Sequence, residues 1–308
     1  MSDNGRRPDF FIVGAPKSGT TAMYEYLRRH PELYLPERKE LRFFGSDLEI
    51  RDRPMLTMDQ YLAHFADAGD ARAVGTAYVW YLFSTRAAAE IRDFAPDARV
   101  VAMLRNPVDM VWSLHSEHLF NGNEEIDDFT AALDAEPDRR AGRRIPAHAH
   151  LPQGLLYSEV PRYADQLQRY FDAFGRDRVL VIVFDDFADD VAATYRQTLE
   201  FLGVDPGLAP ASFEVINANK RTRSERFRHF LARPPELPRR IIGRLVPRSL
   251  RRTAYDLAKR ANASPAQRAA MPPKTRERLR RLFEPEVERL SLLLDRDLSG
   301  WTRPPRSS

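Results

Sequence analysis

The sequence contains no cysteine, only five lysines and no long apolar run. The absence of cysteine excludes disulfides, a thiol nucleophile and cysteine-ligated zinc. No stretch approaches the ~18 consecutive apolar residues that indicate a membrane-spanning helix. The N-terminus also lacks the apolar segment of a signal peptide. We therefore expect a soluble, cytoplasmic protein.

Charge is distributed unevenly along the 308 residues. The net charge is +4, yet residues 220–281 contain 20 Lys or Arg against 4 Asp or Glu, which leaves the rest of the chain at −12. With 43% apolar residues, the chain can bury a large core. We predict a single domain over 1–308, in which an α/β core at 8–205 carries a basic, Arg-rich helical extension at 210–300.

Four apolar runs have the composition of buried strands, and amphipathic stretches lie between them. The predicted strands are 10–13, 73–77, 100–104 and 179–184, and the predicted helices are 20–29, 85–94, 107–119, 158–174 and 191–202. This alternation indicates an α/β fold, a P-loop-like parallel sheet with helices on both faces. Ligands of such sheets bind outside the carboxyl ends of the strands. Beyond Pro210 the pattern is all-helical.

The first predicted strand runs into a glycine-containing turn and then into a helix. Residues 14–21 read GAPKSGTT, whereas a triphosphate-binding loop reads G-x-x-x-x-G-K-[ST]. Gly14 and Gly19 keep that spacing, but Thr20 stands in the lysine position and Lys17 comes two residues before the second glycine. The backbone N–H groups of such a turn still converge on an anion at a helix N-terminus. The pattern predicts a phosphate-binding loop whose lysine approaches the ligand from another side.

Two further segments carry charged groups suited to a site at the same rim. The strand predicted at 100–104 ends at Arg105, Asn106 has the chemistry of an N-cap, and Pro107 suits a first helical position. Arg105 therefore lies at a carboxyl strand end, where a guanidinium can hold a second phosphate. The other segment, 37–44, places a carboxylate, Glu40, among cations and beside two phenylalanines.

Together the three segments resemble the sulfotransferase family that uses 3′-phosphoadenosine 5′-phosphosulfate (PAPS). The likeness is closest to heparan-sulfate-type and bacterial members and covers roughly residues 8–205, including GTAY at 75–78. It implies transfer of a sulfuryl group from PAPS to a hydroxyl of a carbohydrate, glycolipid or hydroxylated metabolite. PAPS carries a 5′-phosphosulfate and a separate 3′-phosphate, which suits one amide-rich loop and a second anion clamp. A sulfuryl group carries less charge than a phosphoryl group, so we expect no metal ion.

The resemblance also implies roles for individual residues. The implied donor-binding residues are Lys17, Ser18, Gly19, Thr20 and Thr21 for the phosphosulfate, Arg105 and Ser113 for the 3′-phosphate, and Lys220 and Arg221 for the 3′-phosphate or the acceptor. Lys17 would also act in catalysis, by stabilising the bridging oxygen as the leaving phosphate gains charge. Glu40 matches the Glu-x-x-Phe-Phe glutamate of the carbohydrate branch, and would be the base that takes the acceptor proton.

Several of these residues also have a plainer interpretation. Arg105 could form an ion pair with Asp109, and Ser113 could face the solvent. Glu40 could be a solvated partner of Lys39 or of a nearby arginine. Four histidines lack the spacing of a metal site and are interpreted as surface or loop residues: His115, His118, His148 and His150.

Two alternatives concern the whole protein. Residues 179–186 read VLVIVFDD, which resembles a strand ending in a metal-binding acid and would favour a nucleotide or small-molecule kinase. A core strand followed by an acidic helix start explains the same pattern, and the displaced lysine argues against a kinase. The basic tract at 233–260 could contact a membrane surface, or the chain could be a non-catalytic anion binder. The tract has few aromatic residues for stacking on bases, so the expected partner is a small-molecule or glycan acceptor, without nucleic acid.

Overall fold

The computed structural model describes residues 6–51, 53–208, 210, 213–214, 220–222, 263–265 and 270–303. Within them, five strands form a parallel sheet in the order β2-β3-β1-β4-β5. The strands are β1 Phe10–Gly14, β2 Leu33–Tyr34, β3 Ala73–Ala77, β4 Arg99–Leu104 and β5 Val179–Val183. The predicted parallel α/β sheet is confirmed. The sequence pattern missed only β2 of this sheet, because two residues are too few to show an alternation.

The sheet is organised around β1, which lies between β3 and β4. Phe10 of β1 is in register with Gly75 of β3 on one side and with Arg99 of β4 on the other. Gly75 permits this close pairing, since a Cβ at that position would lie 2.0 Å from the Phe10 ring. Strands β2 and β3 lie on one side of β1, and β4 and β5 lie on the other. Where the strand order reverses in this way, a crevice opens at the carboxyl ends of the strands.

Helices cover both faces of the sheet. They are α1 Thr20–Arg28, α2 Met58–Leu62, α3 Ala87–Phe94, α4 Pro107–Asn121, α5 Phe129–Asp134, α6 Glu136–Arg140, α7 Tyr163–Phe174, α8 Phe184–Asp189, α9 Val191–Leu202 and α10 Pro273–Leu294. Alternate β1 side chains enter two separate apolar clusters. Phe11 and Val13 pack with residues of α3, α4 and α7, whereas Phe10 and Ile12 pack with residues of α1 and α9. The burial of both faces explains why the strands read as continuous apolar runs.

Two helices begin later than their sequence pattern predicts. The Thr85 N–H, expected in a helix, donates instead to the Asp47 carboxylate at 2.8 Å, and α3 starts two residues further on. The Ser158 N–H donates to the Glu136 carboxylate at 2.9 Å, and α7 starts five residues further on. In both places a carboxylate from elsewhere in the chain binds the backbone donor.

The C-terminal extension is not all helical. Lys220–Thr222 (β6) pairs with Ala263–Pro265 (β7) as an antiparallel two-stranded sheet, which corrects the all-helical prediction for these residues. The basic tract at 233–260 lies outside the described residues. The single domain over 1–308 stays a prediction.

The helix α10 is part of the main core. It begins at Pro273, a position that suits proline because the first helical N–H needs no partner. It lies against α4 and α7, and its buried residues Leu279, Phe283, Val287 and Leu290 belong to the same apolar cluster as Phe11. Within the described ranges, no helix combines the length and the apolar content needed to cross a membrane.

Candidate active site

The loop between β1 and α1 presents backbone donors at a helix N-terminus. Gly19 is the N-cap of α1, with φ 86°, and no side chain caps this helix. Lys17 also has a left-handed backbone, with φ 61°. The first-turn N–H groups of α1 therefore have no side-chain cap, and together with the helix dipole they favour a bound anion.

Ser18 contributes to this loop mainly through its backbone. Its side chain is fully buried, and its hydroxyl donates to the Pro16 carbonyl oxygen at 3.3 Å. The Ser18 hydroxyl is therefore engaged within the loop.

Lys39 connects the loop to Glu40. Its Nζ donates to the hydroxyl oxygens of Thr20 at 3.3 Å and Thr21 at 3.1 Å. The same Nζ lies 3.0 Å from Glu40 Oε1, and the Lys39 side chain is only 14% exposed. The pairing of Glu40 with Lys39 is thus confirmed. The pair is half-buried beside the loop, however, and not solvated as the plainer interpretation assumed. The sequence pattern assigned Lys39 no role in the site, although it is one of five lysines and directly precedes the candidate base.

Glu40 itself is held at the carboxyl end of β3. Its backbone N–H donates to the Ala77 carbonyl oxygen at 3.1 Å, and its Oε2 accepts from the Val79 N–H at 3.2 Å. One carboxylate oxygen therefore binds the backbone and the other binds Lys39. The side chain remains 26% exposed, so the carboxylate is accessible from the solvent.

Arg105, the predicted second anion clamp, contacts the loop directly. It follows the last residue of β4, and its guanidinium donates to the Lys17 carbonyl oxygen at 3.1 Å. The guanidinium also lies over the Phe184 ring, 4.6 Å from the centroid. Asp109, the plainer partner considered for Arg105, is 3.0 Å from Arg276 of α10. The structure thus brings the predicted loop and the predicted clamp together.

The start of α4 is as the sequence predicts. The Asn106 side chain accepts from a first-turn N–H at 3.0 Å, and Pro107 is the first helical residue. Ser113 lies eight residues after Arg105 on this helix and is 2% exposed. The interpretation that Ser113 faces the solvent is therefore wrong.

Glu117 is a site residue that the sequence pattern did not reveal. It lies one helical turn after Ser113 on the same side of α4, and its carboxylate forms an ion pair with the Lys17 ammonium. Burial raises the pKa of the Glu117 carboxyl, but the charge and hydrogen bond of Lys17, together with the charges of His118 and Lys39, leave the pKa below its ordinary value. The spacing of four residues from Ser113 was the available signal.

Two histidines are buried, contrary to the interpretation of all four as surface or loop residues. His115 is 1% exposed and His118 is 6% exposed. His118 Nδ1 lies 3.4 Å from the Tyr157 hydroxyl, which donates to the Glu124 carboxylate at 3.0 Å. Burial lowers the pKa of His118 to about 4, despite neighbouring carboxylates that act to raise it. These polar contacts fix the end of α4 next to Glu117.

The acidic residues after β5 bind the C-terminal segment. Asp185 accepts from the Trp301 indole N–H at 2.7 Å, and Asp186 forms a two-pronged ion pair with Arg296 at 2.5 and 2.6 Å. In the part of the chain that the structure describes, no three metal-binding side chains converge. The carboxylates that suggested a kinase are therefore engaged in structural contacts.

Lys220 and Arg221 lie in β6, opposite Pro265 and Ser264 of β7. Their assignment to the donor or the acceptor stays a prediction.

The fold and the loop geometry can be compared with known proteins. The family model described as "Sulfotransferase domain" matches residues 7–232, which is most of the chain. The protein belongs to this family, as the resemblance of its motifs predicted.

Individual relatives agree with this assignment. A crystal structure of a sulfotransferase from Alicyclobacillus acidocaldarius is 30% identical, covers 97% of this chain and 100% of that chain, and superposes with a TM-score of 0.71. Human carbohydrate sulfotransferase 15 is 26% identical, with 65% of this chain and 44% of that protein covered. Mouse heparan sulfate glucosamine 3-O-sulfotransferase 6 is 26% identical, with 71% and 59% covered. The chain spans about half the length of these two curated relatives.

Proposed function

We propose that this protein transfers a sulfuryl group from PAPS to a hydroxyl of a carbohydrate, glycolipid or hydroxylated metabolite. The observation that carries the proposal is the hydrogen bond from the Arg105 guanidinium to the Lys17 carbonyl oxygen, at 3.1 Å. It joins two anion-binding elements at one edge of the sheet, and PAPS carries two separate anionic groups. The names of the curated relatives, both carbohydrate-directed, favour a glycan acceptor.

The residues present fit this donor. The uncapped first turn of α1 offers N–H groups for the phosphosulfate, and the hydroxyls of Thr20 and Thr21 lie beside them. Arg105, which directly follows β4, and Ser113, which lies within α4, would hold the 3′-phosphate. Lys39 adds a second ammonium at the phosphosulfate end, since its Nζ is within 3.3 Å of both threonine hydroxyls.

PAPS supplies the sulfuryl group and leaves as 3′,5′-adenosine bisphosphate (PAP). Glu40 takes the proton of the acceptor hydroxyl while the bond from that oxygen to sulfur forms. Lys17 stabilises the bridging oxygen, which keeps the electron pair of the broken sulfur–oxygen bond. Lys39 holds the Glu40 carboxylate against the donor loop, so the base has a fixed position relative to the loop that binds the phosphosulfate.

The finer predictions of location and partner remain separate from this activity. A cytoplasmic location, a contact of the 233–260 tract with a membrane surface and the donor contacts of Lys220 and Arg221 stay predictions. A glycan or small-molecule acceptor is part of the proposal.

Calorimetry with PAP and with ATP tests the donor. We expect PAP to bind without Mg²⁺ and the Lys17→Ala variant to bind it more weakly. Binding of ATP that requires Mg²⁺, with no binding of PAP, would overturn the proposal in favour of a kinase.

Transfer of labelled sulfate from PAPS to desulfated heparan and chondroitin chains tests the base. Glu40→Gln should reduce turnover by about 10²–10⁴-fold, the usual contribution of a positioned general base. Glu37→Gln is the matched control, because Glu37 is an exposed residue of the same segment. Equal activity of both variants would place the base elsewhere.

A further inference from the structure

The predicted reaction centre contains a second carboxylate, that of Glu117. Glu117 and Glu40 belong to different elements of the fold. Glu117 lies on α4 and forms an ion pair with Lys17, whereas Glu40 lies at the end of β3 and is 3.0 Å from Lys39. Each of the two lysines thus has its own carboxylate. The Lys39 ammonium also acts electrostatically on Glu117, so the four charges form one group.

Lys17 is held at both of its ends. At the backbone, its carbonyl oxygen accepts from the Arg105 guanidinium at 3.1 Å, and its φ of 61° is fixed in the loop. At the tip of the side chain, the ammonium is bound by Glu117. A free lysine side chain has many rotamers, and ordering it during the reaction costs conformational entropy. The ion pair orders the ammonium before any ligand is bound.

The element that supplies Glu117 also carries a predicted donor ligand. Ser113 and Glu117 are one turn apart on α4, and neighbours at this spacing share one face of a helix. The helix that would contact the 3′-phosphate therefore also directs the Lys17 side chain.

We propose that Glu117 is a positioning residue that holds the Lys17 ammonium beside the donor loop and yields it to the bridging oxygen as negative charge develops there. The proposal rests on the proposed function, because it needs a phosphosulfate at the loop. Glu117 acts through Lys17 and takes no proton from the acceptor.

Steady-state kinetics with labelled PAPS and desulfated heparan, together with PAP calorimetry, provide the first test. Glu117→Gln should lower kcat by about 10- to 100-fold, because misplacing a catalytic group by ~1 Å can cost about 10²-fold in rate. The Kd for PAP should not rise, because the substitution removes a negative charge next to an anionic ligand. Glu117→Asp keeps the charge and should recover most of the rate. If the substitution only disturbed α4, the Kd for PAP would rise together with the loss of rate, since Ser113 is on the same helix.

Acylation of lysines by a succinimidyl ester, followed by mass spectrometry of the ligand-free protein, provides a second test that needs no acceptor. Glu117→Gln should raise the rate of labelling at Lys17 much more than at Lys39, because only Lys17 is in direct contact with the Glu117 carboxylate. Glu40→Gln is the matched control. It should raise the rate of labelling at Lys39, its own partner, more than at Lys17. Unchanged labelling of Lys17 or an unchanged kcat in Glu117→Gln would overturn the proposal. Failure of the wild-type protein to bind PAP would instead overturn the proposed function, while the labelling result would still stand.

Discussion

The Arg105 guanidinium lies over the ring of Phe184, 4.6 Å from its centroid. The same ring borders the donor loop, since a Cβ on Gly19 would lie 3.2 Å from Phe184 Cδ2. One aromatic side chain therefore lies next to both of the predicted anion-binding elements and sets the space between them.

This arrangement predicts a specific effect of Gly19→Ala. The new methyl group would press against the rings of Phe184 and Phe187, both 3.2 Å away, and move the loop. The left-handed φ of 86° adds a backbone penalty of about 1–2 kcal/mol. We expect the Kd for PAP to rise by at least about tenfold, because a shift of the loop misplaces the N–H groups at the N-terminus of α1. Calorimetry with PAP measures this change.

Gly142→Ala is the matched control for the loop variant. Gly142 has a similar left-handed φ of 76°, but no atom lies within 4 Å of its Cβ position. It should therefore lose only the backbone part of the unfolding free energy, about 1–2 kcal/mol in urea, and keep the wild-type Kd for PAP. Equal PAP binding by both variants would contradict the role assigned to the loop.

Lys39 gives the second prediction. Lys39→Met preserves most of the apolar stem but removes the ammonium that binds the Thr20 and Thr21 hydroxyls. We expect the Kd for PAP to rise by about tenfold, the loss typical of a hydrogen bond to a charged group. Lys274→Met, at an exposed position of α10, should bind PAP as the wild type does. A Lys39→Met protein with unchanged PAP affinity would restrict Lys39 to a partner of Glu40.

The contrast between Lys39 and the loop shows which parts of the site a sequence pattern can reveal. The loop, Arg105 and the cap of α4 depend on neighbours in the chain, so local spacing was enough to predict them. The Lys39 contacts bring the 37–44 segment to a loop some twenty residues earlier in the chain, and only the tertiary fold creates them. Glu117 is intermediate, because its helical spacing from Ser113 is visible while its contact with Lys17 is not.

The charge asymmetry is another feature whose meaning required the fold. The sequence shows a basic C-terminal region on an acidic body, which suggested an anionic or membrane partner. Within the described residues, two arginines of the basic 220–281 region and two further along the chain pair with acidic residues of the core. These pairs are Arg276–Asp109, Arg278–Asp134, Arg289–Asp165 and Arg296–Asp186. These four ion pairs attach α10 and the segment after it to the α/β core.

The buried His118 gives a prediction about pH. Burial lowers its pKa to about 4 in the folded protein, against ~6.5 in an unfolded chain. Between these values only the unfolded chain binds the proton, so the free energy of unfolding decreases as the pH falls. From pH ~6.5 to pH ~5 the loss due to His118 is about 1.5 kcal/mol. Burial lowers the pKa of His115 too, which adds to the effect in the same direction.

Urea unfolding between pH 7 and pH 5 checks this dependence. His118→Asn should flatten the dependence of the free energy of unfolding on pH, since it removes one of the two buried imidazoles. His148→Asn, in an exposed loop, should leave the slope unchanged. The window stops at pH 5 because carboxylates contribute below it. Burial acts to raise the pKa of Glu117 and Glu124, but neighbouring cations and hydrogen bonds leave both below their ordinary value. As the pH falls further, the unfolded chain therefore binds protons at these groups before the folded protein does. An identical slope in His118→Asn and wild type would show that His118 titrates normally.

The buried ion pair between Arg139 and Glu124 gives the last prediction. The two side chains are 1% and 0% exposed and lie 2.8 Å apart, and Glu124 also accepts from the Ile126 N–H and the Tyr157 hydroxyl. Arg139→Met would leave the Glu124 carboxylate buried without its cation, which should cost about 3–5 kcal/mol of unfolding free energy.

Two variants separate this penalty from a general loss of contacts around Arg139. Arg143→Met breaks an ion pair with Asp138 whose arginine is 66% exposed, and it should change the unfolding free energy by less than about 1 kcal/mol. Adding Glu124→Gln to Arg139→Met neutralises the unpaired carboxylate, so the double variant should be more stable in urea than Arg139→Met alone. A double variant that is less stable would mean that the hydrogen bonds accepted by Glu124, rather than its charge pairing, hold the end of α4 in place.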